Sequence, residues 1–160
     1  VSPAGRRSAG LLLFRHTDDG TEVLLGHMGG PYFARRDAGA WTVPKGEYEP
    51  DEPALQAARR EFREELGLPP PEGEAIFLGE VRQAGGKTVT VWAVAGDLDP
   101  AAVRPGTFPM EWPPRSGRIQ EFPELDRVAW FTLDRAREVI ITAQTAFLDR
   151  LAEHSHRHEE

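Results

Sequence analysis

The chain has 160 residues, a mass of 17.8 kDa, a formal net charge of −7 and no cysteine. That length bounds a single domain with room for a true core, and the absence of cysteine excludes disulfides and thiolate metal sites. The acidic balance argues against a long nucleic-acid partner, whose binding is dominated by phosphate neutralisation, and no apolar run reaches the length of a membrane span.

Residues 1–8 are polar and carry Arg6 and Arg7; the first ten residues lack a signal peptide's apolar core, so the cytoplasm is the expected compartment. Residues 9–15 (AGLLLFR) are almost continuously apolar, as expected of a strand buried on both faces. Asp18-Asp19-Gly20 reads as a turn, and residues 21–28 (TEVLLGHM) as the returning strand of a hairpin. Residues 29–40 form a Gly-rich loop bearing Tyr32, Phe33, Arg35, Arg36 and Asp37, long enough to be functional rather than merely connective. Trp41, Thr42 and Val43 make a short strand, and Pro44-Lys45-Gly46 a turn into the next element.

That element is a helix. Pro53 suits its first position, and Glu47, Glu49, Asp51 and Glu52 complement its N-terminus. Leu55, Ala58, Phe62 and Leu66 form one apolar stripe. Gly67, followed by Pro69, Pro70 and Pro71, stops the helix. A second face carries Glu61, Glu64 and Glu65 at i, i+3 and i+4, with the small Ala54 and Ala57 expected to leave space above it. Residues 75–83 and 87–96 are strands joined by an Ala84-Gly85-Gly86 turn. Residues 98–122 read as an irregular, ordered binding loop containing Phe108 and Trp112. A strand over 126–132 and a long amphipathic helix over 133–153 follow. His154, His156 and His158 are read as a solvated tail rather than a metal site.

Like charges three and four residues apart on a helix repel one another unless something neutralises them. Oxygen-only donors suit a hard divalent cation, Mg²⁺ or Mn²⁺, rather than zinc. On the helix alone, a solvated face salt-bridged by Arg59, Arg60 and Arg63 is the favoured reading of the charges. The longer spacing decides between them. Gly46 is followed after five residues by Glu52, and seven further residues lead to Arg60-Glu61-Phe62-Arg63-Glu64-Glu65-Leu66-Gly67-Leu68.

This order resembles, position by position, the signature of the Nudix hydrolases, with Phe62 standing where an aliphatic residue is commoner. The resemblance covers residues 8–152 and implies an α+β fold, a mixed sheet between helices, with 1–7 and 153–160 as flexible tails. It implies hydrolysis of a nucleoside diphosphate linked to a second group, with Mg²⁺ or Mn²⁺ as cofactor. By the same resemblance Glu61 and Glu65 are metal ligands, and Glu64 is a third ligand or the group that deprotonates water. Gly46 contributes its carbonyl, Arg60 holds a carboxylate in place, and Glu52 is structural or outer-shell. Glu111, Glu121 and Glu124 are candidates for a base from a distant loop. Tyr32, Arg35, Lys45, Lys87, Trp112 and Arg115 are candidates for gripping phosphate or stacking a base. Lys87-Thr88-Val89 with Trp92 is similar to the KTV-x-x-W strand of asymmetrical dinucleoside-tetraphosphate hydrolases, so the expected substrate is a dinucleoside polyphosphate or a nucleoside triphosphate. The alternatives are a degenerate ligand-sensing module, disfavoured because every signature residue is kept, and an RNA 5′-end pyrophosphohydrolase, disfavoured by the acidic charge.

Overall fold

Strand β1 (Arg7–Thr17) is apolar on both sides because it lies inside a sheet with helices against each face. The computed structural model describes the backbone of residues 6–159 and the side chains of residues 6–155. Alternation along β1 sends Ala9, Leu11 and Leu13 into one core and Leu12 and Phe14 into the other. β1 runs antiparallel to β2 (Gly20–Met28) at residues 14–17, and parallel to β6 (Thr88–Ala95) along residues 7–14.

Towards the other end of the hairpin, β1 and β2 part company. There β3 (Trp41–Thr42) takes the edge of β2 at residues 26–27, and β4 (Lys45–Glu47) takes the edge of β1 at residues 8–10. The chain between the two strand ends is thereby tied into the sheet on both sides, and β4 is delivered towards the helix that follows it. β5 (Ile76–Arg82) borders β6, and β9 (Leu125–Thr132) borders β2, completing a seven-stranded mixed sheet among the described residues.

Helix α1 (Ala54–Leu66) covers one face with Ala57, Ala58, Phe62 and Leu66. Helices α2 (Leu133–Val139) and α3 (Thr145–Glu159) cover the other with Ala136, Val139, Phe147, Leu148 and Leu151. The α+β architecture, a mixed sheet between helices, is the one expected. No helix among the described residues is long and apolar enough to cross a membrane.

Several local readings change. The long helix expected over 133–153 is broken: Ile140 is extended (φ −72°, ψ 151°), bridges in parallel to Trp41, and Ile141 N–H donates to the Trp41 carbonyl at 2.8 Å. Val139, Ile140 and Ile141 are β-branched and favour extended backbone, so a strand edge in need of a partner wins over helical period. The loop expected over 98–122 contains an antiparallel hairpin, β7 (Thr107–Glu111) with β8 (Ile119–Pro123). Lys45 and Gly46 belong to a strand rather than a turn, because β1 offers them an open edge. Pro53 is the N-cap of α1 rather than its first turn, and no acidic residue lies in that turn. Ala57 is fully buried in the core, so it leaves no space above the carboxylates, while Leu55 sits at the core's margin. Residues 153–159 continue α3; residues 1–5 and the side chains of His156 and His158, placed in the tails by the sequence reading, lie outside the described residues.

Phe62 is fully buried beneath α1. Phe62→Ala is expected to cost about 3–5 kcal/mol in urea unfolding, and Phe62→Leu less than half of that.

Candidate active site

The seven-residue interval from Glu52 to Arg60 has a structural reason. It spans the entry into α1 and its first turns, so that the Arg60 fork closes back on Glu52: Nε to Oε2 and Nη2 to Oε1, both at 2.9 Å. The remaining nitrogen, Nη1, reaches Glu61 Oε1 at 2.8 Å and both oxygens of Glu64 at 3.2 Å. One guanidinium therefore gathers three carboxylates, a geometry that a lysine point charge does not reproduce. The hydrogen bonds from Arg60 hold the Glu52 carboxyl below its ordinary value, and the carboxylates raise Arg60 in return, with Glu52 first.

Glu61 lies against β4 at Gly46. A side chain at Gly46 would collide with the Glu61 carboxylate, so the glycine is required by close approach. At the far end of α1, Gly67 adopts the left-handed conformation (φ 68°) and donates its N–H to the Arg63 carbonyl at 2.8 Å. It fixes the length of the helix and hence the position of Glu64 and Glu65 in its last turn.

Glu61, Glu64 and Glu65 line a cavity of about 530 Å³ together with Lys45, Gly46, Glu47, Lys87 and Glu124. Ser8, Met28, Gly29, Phe33, Thr42, Phe108 and Leu125 complete its wall. A larger groove of about 820 Å³ lies beyond Arg60, lined by Arg6, Arg7, Tyr48 and Pro50 among others, but none of Glu61, Glu64 and Glu65 faces it.

Burial dominates the electrostatics of the smaller cavity. It pushes the Glu65 carboxyl up to about 8, against the pull of the Lys45 ammonium and with a further push from Glu61 and Glu124. Burial also raises Glu61, opposed by Arg60, and raises Glu124, opposed by Lys45. Lys45 is lowered, first by burial and then by Lys87, although Glu65 opposes the shift. The Lys45 N–H donates to Glu65 Oε2 at 3.3 Å.

Among the described residues no three acidic or histidine side chains converge into a ready coordination shell, since Arg60 holds Glu61 and Glu64. The chemistry of the donors nevertheless fits a hard cation. Glu61 and Glu65 are two partly buried carboxylates whose proton affinity is raised by burial that Arg60 and Lys45 do not offset, and the acidic side chains around them offer oxygen donors.

The structure thus brings Lys45, Gly46, Glu61, Glu64, Glu65 and Lys87 to one cavity, with Arg60 at its border. Tyr32, Arg35, Trp112 and Arg115 do not line it. Tyr32 and Trp112 meet edge to face at 5.3 Å, which ties the loop over 29–40 to the end of β7. Arg35 is exposed, as is Arg115, whose backbone N–H donates to the Glu111 carboxylate at 2.7 Å. Of the three distant glutamates Glu124 alone lines the cavity; Glu111 closes the hairpin turn and Glu121 is exposed on β8.

Sequence reasoning missed Ser8, Met28, Thr42 and Leu125, which no local pattern marks because strand pairing brings them together. It also missed His27, fully buried, with Nδ1 at 2.9 Å from Asp126 and Nε2 donating to the Arg36 carbonyl at 2.7 Å. The signal was there: a histidine inside an otherwise apolar strand. It anchors the loop that carries Phe33 into the cavity.

A pH dependence follows from Glu65. Its carboxyl titrates near 8 when folded, against an ordinary value of 4.5. Between those values the folded protein binds more protons than the unfolded chain, so with divalent cations chelated its stability falls as pH rises through that window, by up to about 1.4 kcal/mol per unit. Urea-unfolding midpoints across the window are expected to fall for the wild type and to stay nearly level for Glu65→Gln.

The NUDIX domain family profile matches residues 5–151. No curated protein matches the chain. Among solved structures, a binary complex of C. elegans Ap4A hydrolase superposes with a TM-score of 0.64 at 22% identity, covering 94% of this chain and 98% of that one. The NUDIX domain of Shewanella oneidensis NrtR complexed with ADP ribose gives 0.63 at 17% identity, over 95% and 89% of the two chains. RenU, a Nudix hydrolase from M. Smegmatis, gives 0.59 at 24% identity, over 96% and 88%. These identities carry the fold alone; the family rests on the profile, whose match spans the sheet, α1 and the whole of the site. On that ground the chain belongs to the NUDIX family and is a Nudix-type pyrophosphohydrolase.

Proposed function

We propose that the protein hydrolyses the diphosphate linkage of a dinucleoside polyphosphate or a nucleoside triphosphate, with Mg²⁺ or Mn²⁺ as its cofactor. The observation that carries this reading is the two-signed cavity, in which Glu61, Glu64 and Glu65 share a wall with Lys45 and Lys87. A polyphosphate needs cations along its length and a carboxylate to accept a proton from water, and the cavity holds both. The C. elegans structural neighbour, an Ap4A hydrolase, acts on a substrate of the class inferred here from Lys87, Thr88, Val89 and Trp92.

Glu61 and Glu65, with the Gly46 carbonyl, would hold the cation, and Glu64 would be the third ligand or take up the proton. When bound, such an ion neutralises phosphate oxygens and acidifies water. Lys45 and Lys87 grip the phosphate chain. Arg60 keeps Glu61 and Glu64 apart from each other's charge and fixes their rotamers. In the reaction water adds to phosphorus while the bridging P–O bond breaks; a carboxylate takes the water's proton, and the leaving phosphate carries off the bond pair. Glu124, in the cavity beside Lys45, is the best-placed distant base of the three candidates. Phe33 and Phe108 supply the aromatic surface of the cavity itself, and the exposed Tyr32, in edge-to-face contact with Trp112, would offer further aromatic surface to a second nucleoside.

A panel of nucleotides assayed with Mg²⁺ or Mn²⁺ for released phosphate and pyrophosphate tests the reading. Turnover of dinucleoside polyphosphates or nucleoside triphosphates, abolished by chelation, is expected. Turnover confined to RNA 5′ ends, or tight nucleotide binding without turnover, would replace it. Glu61→Gln and Glu65→Gln are each expected to lower kcat by roughly 10²-fold or more while leaving the fold intact. Glu124→Gln is expected to lower kcat and change its pH profile, whereas Glu121→Gln leaves both unchanged; equal effects of the two would remove Glu124 from the reaction.

A further inference from the structure

Lys45 and Lys87 reach the same cavity from distant parts of the chain. Lys45 opens β4, and Lys87 follows the turn after β5. Their strands do not pair with each other: β4 lies on one edge of β1 and β6 on the other. What links the two approaches is a fully buried side chain, Gln144, at the end of the 3-10 turn Thr142–Gln144.

Every polar atom of Gln144 is used. Oε1 accepts the Val43 N–H at 2.9 Å. Nε2 donates to Thr42 Oγ1 at 2.9 Å and to Gln83 Oε1 at 2.8 Å. The Thr42 hydroxyl in turn donates to the Val43 carbonyl at 3.0 Å. Thr42 and Val43 stand just before Lys45. Gln83 stands just before Lys87, and its N–H closes the turn on the Lys87 carbonyl at 2.7 Å. The break in the C-terminal helix has a purpose in this light: Ile140 and Ile141 pair with Trp41, which sets the 3-10 turn against β3 and aims Gln144 at it. A leucine would fill a core site without the need to satisfy an amide, and a buried amide is retained only where its partners are in place.

We infer that Gln144 is a positioning residue for phosphate recognition, a strut from Thr42 and Val43 to Gln83 that sets the spacing of Lys45 and Lys87 across the cavity. The inference rests on the phosphate-cleaving reading above. It predicts that the strut acts on binding of the phosphate chain, through Lys87, and not on the chemical step.

Gln83→Leu removes one arm of the strut at a part-buried position and is combined with Lys87→Ala in a double-mutant cycle. The readouts are KM and kcat for a hydrolysed nucleotide, and the Kd of inorganic pyrophosphate by calorimetry. Gln83→Leu is expected to raise KM and the pyrophosphate Kd about fivefold with kcat within about twofold, and to add nothing once Lys87 is alanine. Gln144→Leu is expected to reproduce the KM rise with a lower Tm. Additive effects of Gln83→Leu and Lys87→Ala would overturn the strut, as would a fall in Tm with an unchanged pyrophosphate Kd. Failure of the wild type to bind pyrophosphate would also overturn it. If the wild type binds pyrophosphate with the expected cycle yet cleaves no nucleotide, the strut stands and the proposed reaction falls.

Discussion

Carboxylates crowded on one helical face repel each other, and two kinds of side-chain cation restrain that repulsion around the cavity. Arg60 binds Glu52, Glu61 and Glu64 at once, and Lys45 stands against Glu65. Neither cation neutralises the set. Glu61 and Glu65 stay above their ordinary carboxylate range because burial removes water faster than the neighbouring charges replace it. A fold optimised for stability alone would place apolar groups there. The retained deficit of positive charge is what makes the cavity a candidate seat for a divalent cation and a polyphosphate.

The sheet serves this arrangement through one irregularity. β1 and β2 begin as a hairpin and then separate, and β3 and β4 take over the edges they expose. That exchange carries Lys45 and Gly46 to the carboxylate face of α1 and brings Ser8 and Thr42 into the same wall. It also explains why Gly46 bears no side chain, since Glu61 occupies the space a Cβ would need. The parallel pairing of β1 with β6 then brings Lys87 to the opposite rim.

Much of this is legible in the amino-acid sequence. The interval from Gly46 through Glu52 to Arg60 and Gly67 marks the helix, its glycine cap and the family, although Gly46 lies in a strand rather than the turn the sequence suggests. The two-faced burial of β1 was legible as an uninterrupted apolar run. Three things were not. The break at Ile140 depends on Trp41 offering a strand edge about a hundred residues earlier, which helical period cannot register. The hairpin of β7 with β8 hides in a proline-rich stretch whose composition reads as irregular. Glu124 could not be separated from Glu111 and Glu121, because what distinguishes it is the Gly29 N–H bonded to its carbonyl at 3.0 Å and the cavity beside that bond. For the first and the last the missing information is a long-range pairing, whereas the hairpin is a local pairing that its proline content conceals.

The central claim is that a divalent cation seated in the cavity would displace to solvent the proton that burial favours on the Glu65 carboxyl. Calorimetric titration with Mn²⁺ near neutral pH, repeated in buffers of different ionisation enthalpy, measures proton release together with binding. With the Glu65 carboxyl raised to about 8, the account predicts saturable binding with release of about one proton per ion, and loss of that release in Glu65→Gln. Binding without proton release, or release that survives Glu65→Gln, would contradict it.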